Sequence, residues 1–223
     1  LVVSTASLVL AWVLALAIGI YSAVRQYSIL DYVFTLIGFL GLSVPSFMLA
    51  MILMYLATRY LGLGVGGLFS PEYLDAPWSF AKVVDLLKHM WVPVIVVGMA
   101  GTAGLMRTMR ANLLDELKRP YVETARSKGL SERVLILRYP VRVAINPLLS
   151  NIGFVFPQMI SGEVVTSVVL GLPTTGPLFL RALLSQDMYL AGSFVLMLSL
   201  MTLAGVLVSD ILLAWSDPRI RYD

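Results

Sequence analysis

The chain has 223 residues, of which 59% are apolar and only 13% are charged, and its mean hydropathy is +0.88. Soluble domains usually carry about a quarter charged residues, so this composition indicates a membrane protein. The sequence has no cysteine and one histidine, His89, which excludes a disulfide framework, a thiolate metal site and a cysteine nucleophile. The formal net charge of +3 is too small to indicate nucleic-acid binding by itself.

Five stretches are long and apolar enough to cross a bilayer, whose ~30 Å hydrocarbon core takes ~20 residues of helix. The predicted spans are approximately residues 1–24, 32–58, 88–108, 143–163 and 188–215. The segments between the later spans are the outer loops 59–87 and 164–187 and the inner loop 107–142. We therefore predict one all-α transmembrane domain over residues 1–223.

The uncharged run 164–180 is not counted as a sixth span. Gly171, Pro173, Gly176 and Pro177 would break a helix in its middle. We expect a loop there, and a shallow entry of this loop into the membrane stays open.

The distribution of Lys and Arg predicts the orientation. On an alternating path one side receives twelve of the 16 basic residues, and the other receives only Arg59, Lys82, Lys88 and Arg181. The richer side is cytoplasmic by the positive-inside rule. Residue 1 then lies outside, within an apolar stretch, so an additional span upstream is expected. The alternative is a signal peptide, although the stretch is long for that role and lacks a basic leader.

The first outer loop is expected to end in a short interfacial helix. Ser79 is a good N-cap, and apolar residues recur at helical spacing from Val83 to Met90. His89 and Trp91 fit the membrane interface, and a ligand-binding role for this helix is the alternative.

The inner loop 107–142 holds nine basic and four acidic residues and is predicted to form two helical pieces divided at Gly129. Pro120 suits a first helical turn, Glu123 suits the positive helix end, and Lys128 suits the negative end. Gly129 is the expected left-handed stop, and Ser131 begins the next piece. A single exposed turn of this kind suits docking into a groove on another protein. The alternative is an ordinary charged loop that follows the positive-inside rule.

The transport pathway is poorly specified by the sequence. Side chains that could line a pore are Met48, Met51, Met54, Phe154, Phe156 and Gln158. The third span carries a face of small residues that permits close helix contact, formed by Gly98, Ala100, Gly101, Ala103 and Gly104. We expect that face at a packing seam with a partner subunit or with the fourth span.

Residues 123–129, Glu-Thr-Ala-Arg-Ser-Lys-Gly, resemble the Glu-Ala-Ala-x-x-x-Gly motif (the EAA motif) of permease subunits in binding-protein-dependent ABC importers. Further similarity to the dipeptide and oligopeptide permease branch lies in Arg25 with Asp31, in the segments 43–47 and 121–130, in Asn146-Pro147 and in the tail 217–221. The resemblance covers essentially the whole chain. Thr124 stands where the family favours Ala, and Pro120 stands where many relatives have Asp.

The resemblance implies the type I ABC importer permease fold, with the coupling helix that contacts the ATPase formed by Tyr121, Glu123, Thr124, Ala125, Arg126, Ser127, Lys128 and Gly129. It implies a multi-pass protein of the bacterial or archaeal cytoplasmic (inner) membrane that moves peptides by alternating access. The implied partners are a second permease in a heterodimer, two ATPase subunits and an external solute-binding protein. The chain has no Gly-Lys dipeptide and thus no phosphate-binding loop, so ATP and Mg would be bound by the ATPase and this chain would have no cofactor.

Other functions are alternatives, because the sequence differs from many peptide permeases and carries two ionisable residues near span ends. The outer segment 170–176 and Ser167 differ from many peptide permeases, so an oligosaccharide is the alternative substrate. An ion-coupled transporter would use buried ionisable residues, for which only Glu163 and Asp210 are candidates. An intramembrane enzyme would need a nucleophile with a base, or a metal centre, and this sequence offers little from which to build either. Nucleic-acid binding is rejected, because membrane topology explains the basic residues of the inner loop.

Overall fold

The computed structural model describes residues 2–62, 64, 66–161 and 164–216. Within these residues the regular structure is helical and no strand occurs. The α-helices are α1 (Val2–Val24), α2 (Ile29–Ser43), α3 (Ser46–Leu56), α4 (Phe80–Leu117), α5 (Pro120–Ser127), α6 (Glu132–Arg138), α7 (Pro140–Ala144), α8 (Asn146–Ser150), α9 (Ile152–Ser161), α10 (Val164–Val169), α11 (Thr175–Leu184) and α12 (Met188–Ser216). The all-α prediction is thus confirmed for the described chain.

The first helix packs along α4 through small residues. Most buried positions of α1 recur every fourth residue and are small: Val3, Ser7, Ala11, Ala15, Gly19 and Ala23, with Ser22 beside the last. A Cβ on Gly19 would lie 2.8 Å from the Cβ of Met109 on α4, so only glycine allows this approach. These small residues let α1 and α4 lie side by side along most of their length.

The small-residue face predicted on the third span lies at this same seam. A Cβ on Gly98 would meet Leu10 at 3.3 Å, and one on Gly101 would meet Ala11 at 3.7 Å. Gly98 and Gly101 thus lie at a packing seam, as expected, but this seam is with α1 and not with the fourth predicted span. Contact of the face with a partner subunit stays a prediction. A Cβ on Gly104 would meet nothing within 4 Å, and the side chain of residue 100 lies outside the described part.

The second predicted span is not one helix. It is divided into α2 and α3 at Val44 and Pro45, and the two parts are bent by 107°. Pro45 has no N–H to continue the ladder, and it holds Val44 in an extended conformation with φ −87° and ψ 122°. A π-helical turn, Ala57–Leu61, extends the second part to Gly62.

The sequence of the third predicted span forms a helix that is longer than expected, because the predicted interfacial helix and the span lie in one helix of 38 residues, α4. The hydroxyl of Ser79 accepts a hydrogen bond from the Lys82 N–H, as an N-cap should. At its inner end α4 continues to Leu117, well beyond the predicted end at residue 108. The helix therefore joins the predicted outer loop 59–87 to the predicted inner loop 107–142.

The fourth predicted span is interrupted. Its sequence forms the short helices α7, α8 and α9, separated at Ile145 and Asn151. Pro147 near the start of α8 lacks the N–H that would bond back to α7, which accounts for the break at Ile145. Pro157 lies inside α9, and that helix continues through it. The last predicted residues of this span, 162 and 163, lie outside the described part.

The predicted outer loop 164–187 is largely helical, which corrects the expectation of a loop. It contains α10 and α11, and the break between them lies where the sequence placed it. Gly171 has φ of +63°, a left-handed conformation that favours glycine. Apolar residues on both sides of the break, such as Leu170 and Leu172, are buried in a core cluster with α3 and α4.

By length and apolar composition, α1 and α12 can each cross a membrane alone. Two bent helix pairs also pass the same test: α2–α3 with its π-helical extension, and the two parts of α4 on either side of residue 100. If each pair is one span, the described chain has up to four candidate spans. The sequence of the fifth predicted span, 188–215, forms the single long helix α12.

Candidate functional site

The inner loop folds into a helical hairpin, which we call the inner hairpin and define as residues 120–138. Pro120 is at the first turn of α5, where its missing N–H costs nothing. Gly129 has φ of +80° and ends α5 in the left-handed conformation, as the sequence predicted. Ser131 precedes α6 at the N-cap position, without a side-chain hydrogen bond to the helix. With eight residues, α5 is longer than the single turn expected.

An apolar core holds the two helices of the hairpin together. It is formed by Val122 and Ala125 of α5 and Leu135 and Ile136 of α6. Val122 and Ala125 are three residues apart, so they share one face of α5, and Val122 is fully buried. The buried face fixes which side of α5 remains free.

An ion pair closes the hairpin across the Gly129 turn. The Nε of Arg126 donates to Oε1 of Glu132 at 2.5 Å, and its Nη2 donates to Oε2 at 3.2 Å. This two-point geometry fixes both distance and plane, which a single contact cannot do. The hydrogen bonds and charge of Arg126 lower the pKa of Glu132, and Glu132 raises the pKa of Arg126.

Two contacts join α5 to the inner end of α4. The hydroxyl of Tyr121 donates to Oε2 of Glu116 at 2.6 Å, and Nε of Arg119 lies 3.7 Å from Oε1 of the same carboxylate. Partial burial and the hydrogen bond to Glu116 raise the pKa of Tyr121. Glu116 therefore anchors the start of α5 on α4.

The opposite face of α5 is free. Glu123, Thr124, Ser127 and Lys128 are exposed. Thr124 donates only to the Pro120 carbonyl within its own helix, at 3.0 Å. Glu123 makes neither a hydrogen bond nor an ion pair with the described part of the chain. The hairpin thus presents a polar, charged surface from a rigid base, and such a surface can bind a partner.

A buried ion pair supports the inner ends of α2 and α4. Asp31 is 2% exposed and accepts hydrogen bonds from Nε and Nη2 of Arg110, at 3.1 and 3.0 Å. It also accepts from the Tyr27 N–H at 3.0 Å. The sequence marked Asp31 and Arg25 only as residues shared with the family, and the structure shows that Asp31 pairs with Arg110, 79 residues away. Such a long-range pairing has no local signal in the sequence.

The outer segment before α4 is held by buried polar contacts. Asp85 accepts from the Ser70 N–H at 2.8 Å and from the Ser70 hydroxyl at 2.7 Å. Nδ1 of His89 lies 2.8 Å from the Asp85 carbonyl and donates to it. Nζ of Lys82 lies 4.9 Å from the centre of the Phe69 ring. The described residues contain no group of three or more metal-ligating side chains.

The candidate pathway side chains that the structure describes lie in different environments. Met48, Met51 and Phe154 are exposed on the surface of the chain, whereas Met54 packs against the outer core cluster. The side chains of Phe156 and Gln158, and residue Glu163, lie outside the described part. Asp210, on α12, is half-buried and takes part in a contact, so it is no free buried charge.

A family model decides the identity of the chain. The model for the inner membrane component of binding-protein-dependent transport systems matches residues 15–222. The chain belongs to this family. The resemblance found in the sequence is thereby confirmed, and so is the assignment to an integral component of a membrane transport system.

Curated relatives of this inner membrane component match over nearly the whole chain. The oligopeptide transport system permease protein AppB of Bacillus subtilis (strain 168) is 33% identical over 217 residues, which cover 97% of this chain and 67% of the relative. OppB of Haemophilus influenzae, of the same description, is 33% identical, covering 94% of this chain and 64% of the relative. OppB of Escherichia coli (strain K12) is 30% identical, covering 97% and 67%.

Proposed function

We propose that this chain is a permease subunit of an ATP-driven importer that moves di- and oligopeptides across the cytoplasmic membrane. The observation that carries the proposal is the inner hairpin: a charged element with its own apolar core and one exposed face, at the EAA motif of a binding-protein-dependent transport protein. The names of the relatives favour peptides over oligosaccharides as the solute.

In this proposal the inner hairpin is the coupling element. The face with Glu123, Ser127 and Lys128 sits in a groove of a separate ATPase, which binds ATP and Mg. The ATPase pushes on the hairpin, whose core and ion pair pass the displacement on without bending. The permease halves then rotate, and the pathway opens outward. This chain makes and breaks no covalent bond.

The partners follow from the same proposal. A second permease packs against this chain as a heterodimer, because the membrane helices of one such chain cannot enclose a pathway for a peptide. Two ATPase subunits bind at the inner side, and an external solute-binding protein delivers the peptide. The surrounding lipid covers the apolar side chains that α12 exposes, among them Leu196, Leu203 and Trp215.

The test is reconstitution of the complete importer in proteoliposomes. Binding protein loaded with a tripeptide is expected to stimulate ATP hydrolysis and peptide uptake, whereas maltotriose is not. Mass spectrometry of the solute that co-purifies with the native binding protein gives an independent answer. A retained oligosaccharide would overturn the peptide assignment. Uptake that continues without ATP and stops with an ionophore would indicate an ion-coupled transporter and overturn the whole proposal.

A further inference from the structure

The inner end of α12 is held by two side chains from α7 and α8. Nε of Arg142 donates to the Ser216 carbonyl at 2.9 Å, and the Ser216 hydroxyl donates to Oδ1 of Asn146 at 3.0 Å. The last carbonyls of a helix have no partner in the helix itself, so the Arg142 side chain satisfies one and also suits the negative helix end. We call this three-residue arrangement the Ser216 clamp.

Two further contacts continue the attachment away from the clamp. The Ser209 hydroxyl donates to the Leu149 carbonyl at 2.5 Å. A Cβ on Gly205 would lie 2.5 Å from the carbonyl oxygen of Gly153. The contacts pair residues 142–153 with residues 205–216 in opposite chain directions. The inner half of α12 is therefore fixed to α7–α9.

The other end of this attachment is the inner hairpin. Arg142 lies on α7, which begins at Pro140, two residues after α6 ends at Arg138. The neighbouring Val141 packs against the apolar core of the hairpin. The hairpin thus has two separate connections to the membrane helices, one to α4 through Glu116 and one to α12 through the Ser216 clamp.

We propose that Arg142 and Asn146 are positioning residues that make the inner end of α12 move with the inner hairpin. Displacement of the hairpin reaches α12, a helix of 29 residues, through Ser216. This inference rests on the proposed coupling function of the hairpin. Neither residue needs to touch solute or nucleotide for this role.

The first test is Ser216→Ala in the complete reconstituted importer. The variant loses the donor to Asn146 but keeps the carbonyl that Arg142 binds. We expect solute-stimulated ATP hydrolysis and uptake to fall by roughly two- to tenfold, the factor that one hydrogen bond contributes, with the ATPases still bound. The matched control is Ser199→Ala on the same helix, whose hydroxyl donates only to the Val195 carbonyl of α12. It should behave as wild type.

The second test is a rescue that a merely structural role would not give. Asn146→Cys with Ser216→Cys can be joined by a short reducible bifunctional thiol reagent, because the chain has no native cysteine. Coupling should be low in the reduced double variant, restored when the two positions are joined, and lost again after reduction. Wild-type coupling in Ser216→Ala, or a cross-link that fails to restore it, would overturn the clamp.

The experiments distinguish failure of the Ser216 clamp from failure of the proposed coupling function of the inner hairpin. If hairpin variants such as Glu123→Lys uncouple the importer and Ser216→Ala does not, only the clamp is overturned. If the hairpin variants also keep wild-type coupling, the coupling function of the hairpin is overturned and the clamp with it.

Discussion

Arg126 and Glu132 face each other across the Gly129 turn and join α5 to α6 by two parallel hydrogen bonds, of 2.5 and 3.2 Å. Both side chains are about half exposed, and exposed pairs add little to stability. We therefore expect the main effect of the pair to be on the direction in which α5 points, because its two-point geometry ties α5 to α6. We expect Arg126→Glu to lower solute-stimulated ATP hydrolysis several-fold while the protein remains inserted and folded.

The exchange variant separates this role from direct binding of the ATPase by Arg126. Arg126→Glu combined with Glu132→Arg rebuilds the pair with reversed polarity and should recover most of the stimulated hydrolysis. If the exchange variant stays as impaired as Arg126→Glu, the pair does not orient the hairpin. Because Arg126 lowers the pKa of Glu132, the pair is present above the ordinary pKa of a glutamate and is lost only as pH falls through the lowered value.

Gly129 supplies the second prediction. Its φ is +80°, and a Cβ there would meet nothing within 4 Å, so a substitution is opposed by backbone strain alone. Gly129→Val should cost ~1 kcal/mol or more and re-aim α5, which weakens ATPase association and stimulated hydrolysis. Gly129→Asn is the control, since asparagine tolerates the left-handed conformation. Equal loss in both variants would show that strain at Gly129 is not the cause.

Glu123 tests the exposed face of α5. Because the carboxylate is exposed and makes neither a hydrogen bond nor an ion pair in the described chain, Glu123→Lys should leave folding and insertion unchanged. It places a positive charge at the positive end of α5 and should weaken co-purification of the ATPase by roughly tenfold. Glu123→Gln is expected to have a smaller effect. Wild-type association in Glu123→Lys would remove this face from the interface.

Gly205 tests the packing of α12. A Cβ there would lie 2.5 Å from the Gly153 carbonyl oxygen and 2.9 Å from its Cα, and backbone atoms cannot move aside cheaply. We expect Gly205→Ala to destabilise the folded protein by about 1–3 kcal/mol, seen as a lower Tm in detergent. Gly192→Ala on the same helix, where a Cβ would meet nothing within 4 Å, should leave the Tm unchanged or slightly raise it.

Local chemistry explains what the sequence could predict. Ser79 acts through its capping hydroxyl, Pro120 through its missing N–H and Gly129 through its left-handed φ. These effects are local, so the start of α4 and both limits of α5 followed from the sequence. Composition alone gave the membrane class and the long apolar helix α12. The motif around Glu123 gave the family.

Long-range packing explains what the sequence could not predict. The partner of Asp31 is 79 residues away, and the partners of Ser216 are 70 and 74 residues away. Hydropathy also missed the bend at Pro45, because an apolar stretch scores the same whether it is straight or bent by 107°. A proline inside a predicted span was the signal that could have found it.

The coupling claim is tested most directly by cross-linking from position 127 in native membranes. Ser127 is exposed on α5, and Ser185, the residue after α11, is the outer-face control. A cysteine at 127 carrying a short photoreactive probe should attach to a protein with a phosphate-binding loop and should react with thiol reagents only from the cytoplasmic side. A cysteine at 185 should be labelled from outside and give no such adduct. Labelling of position 127 from outside in intact cells, or an adduct at 185 and none at 127, would contradict the account.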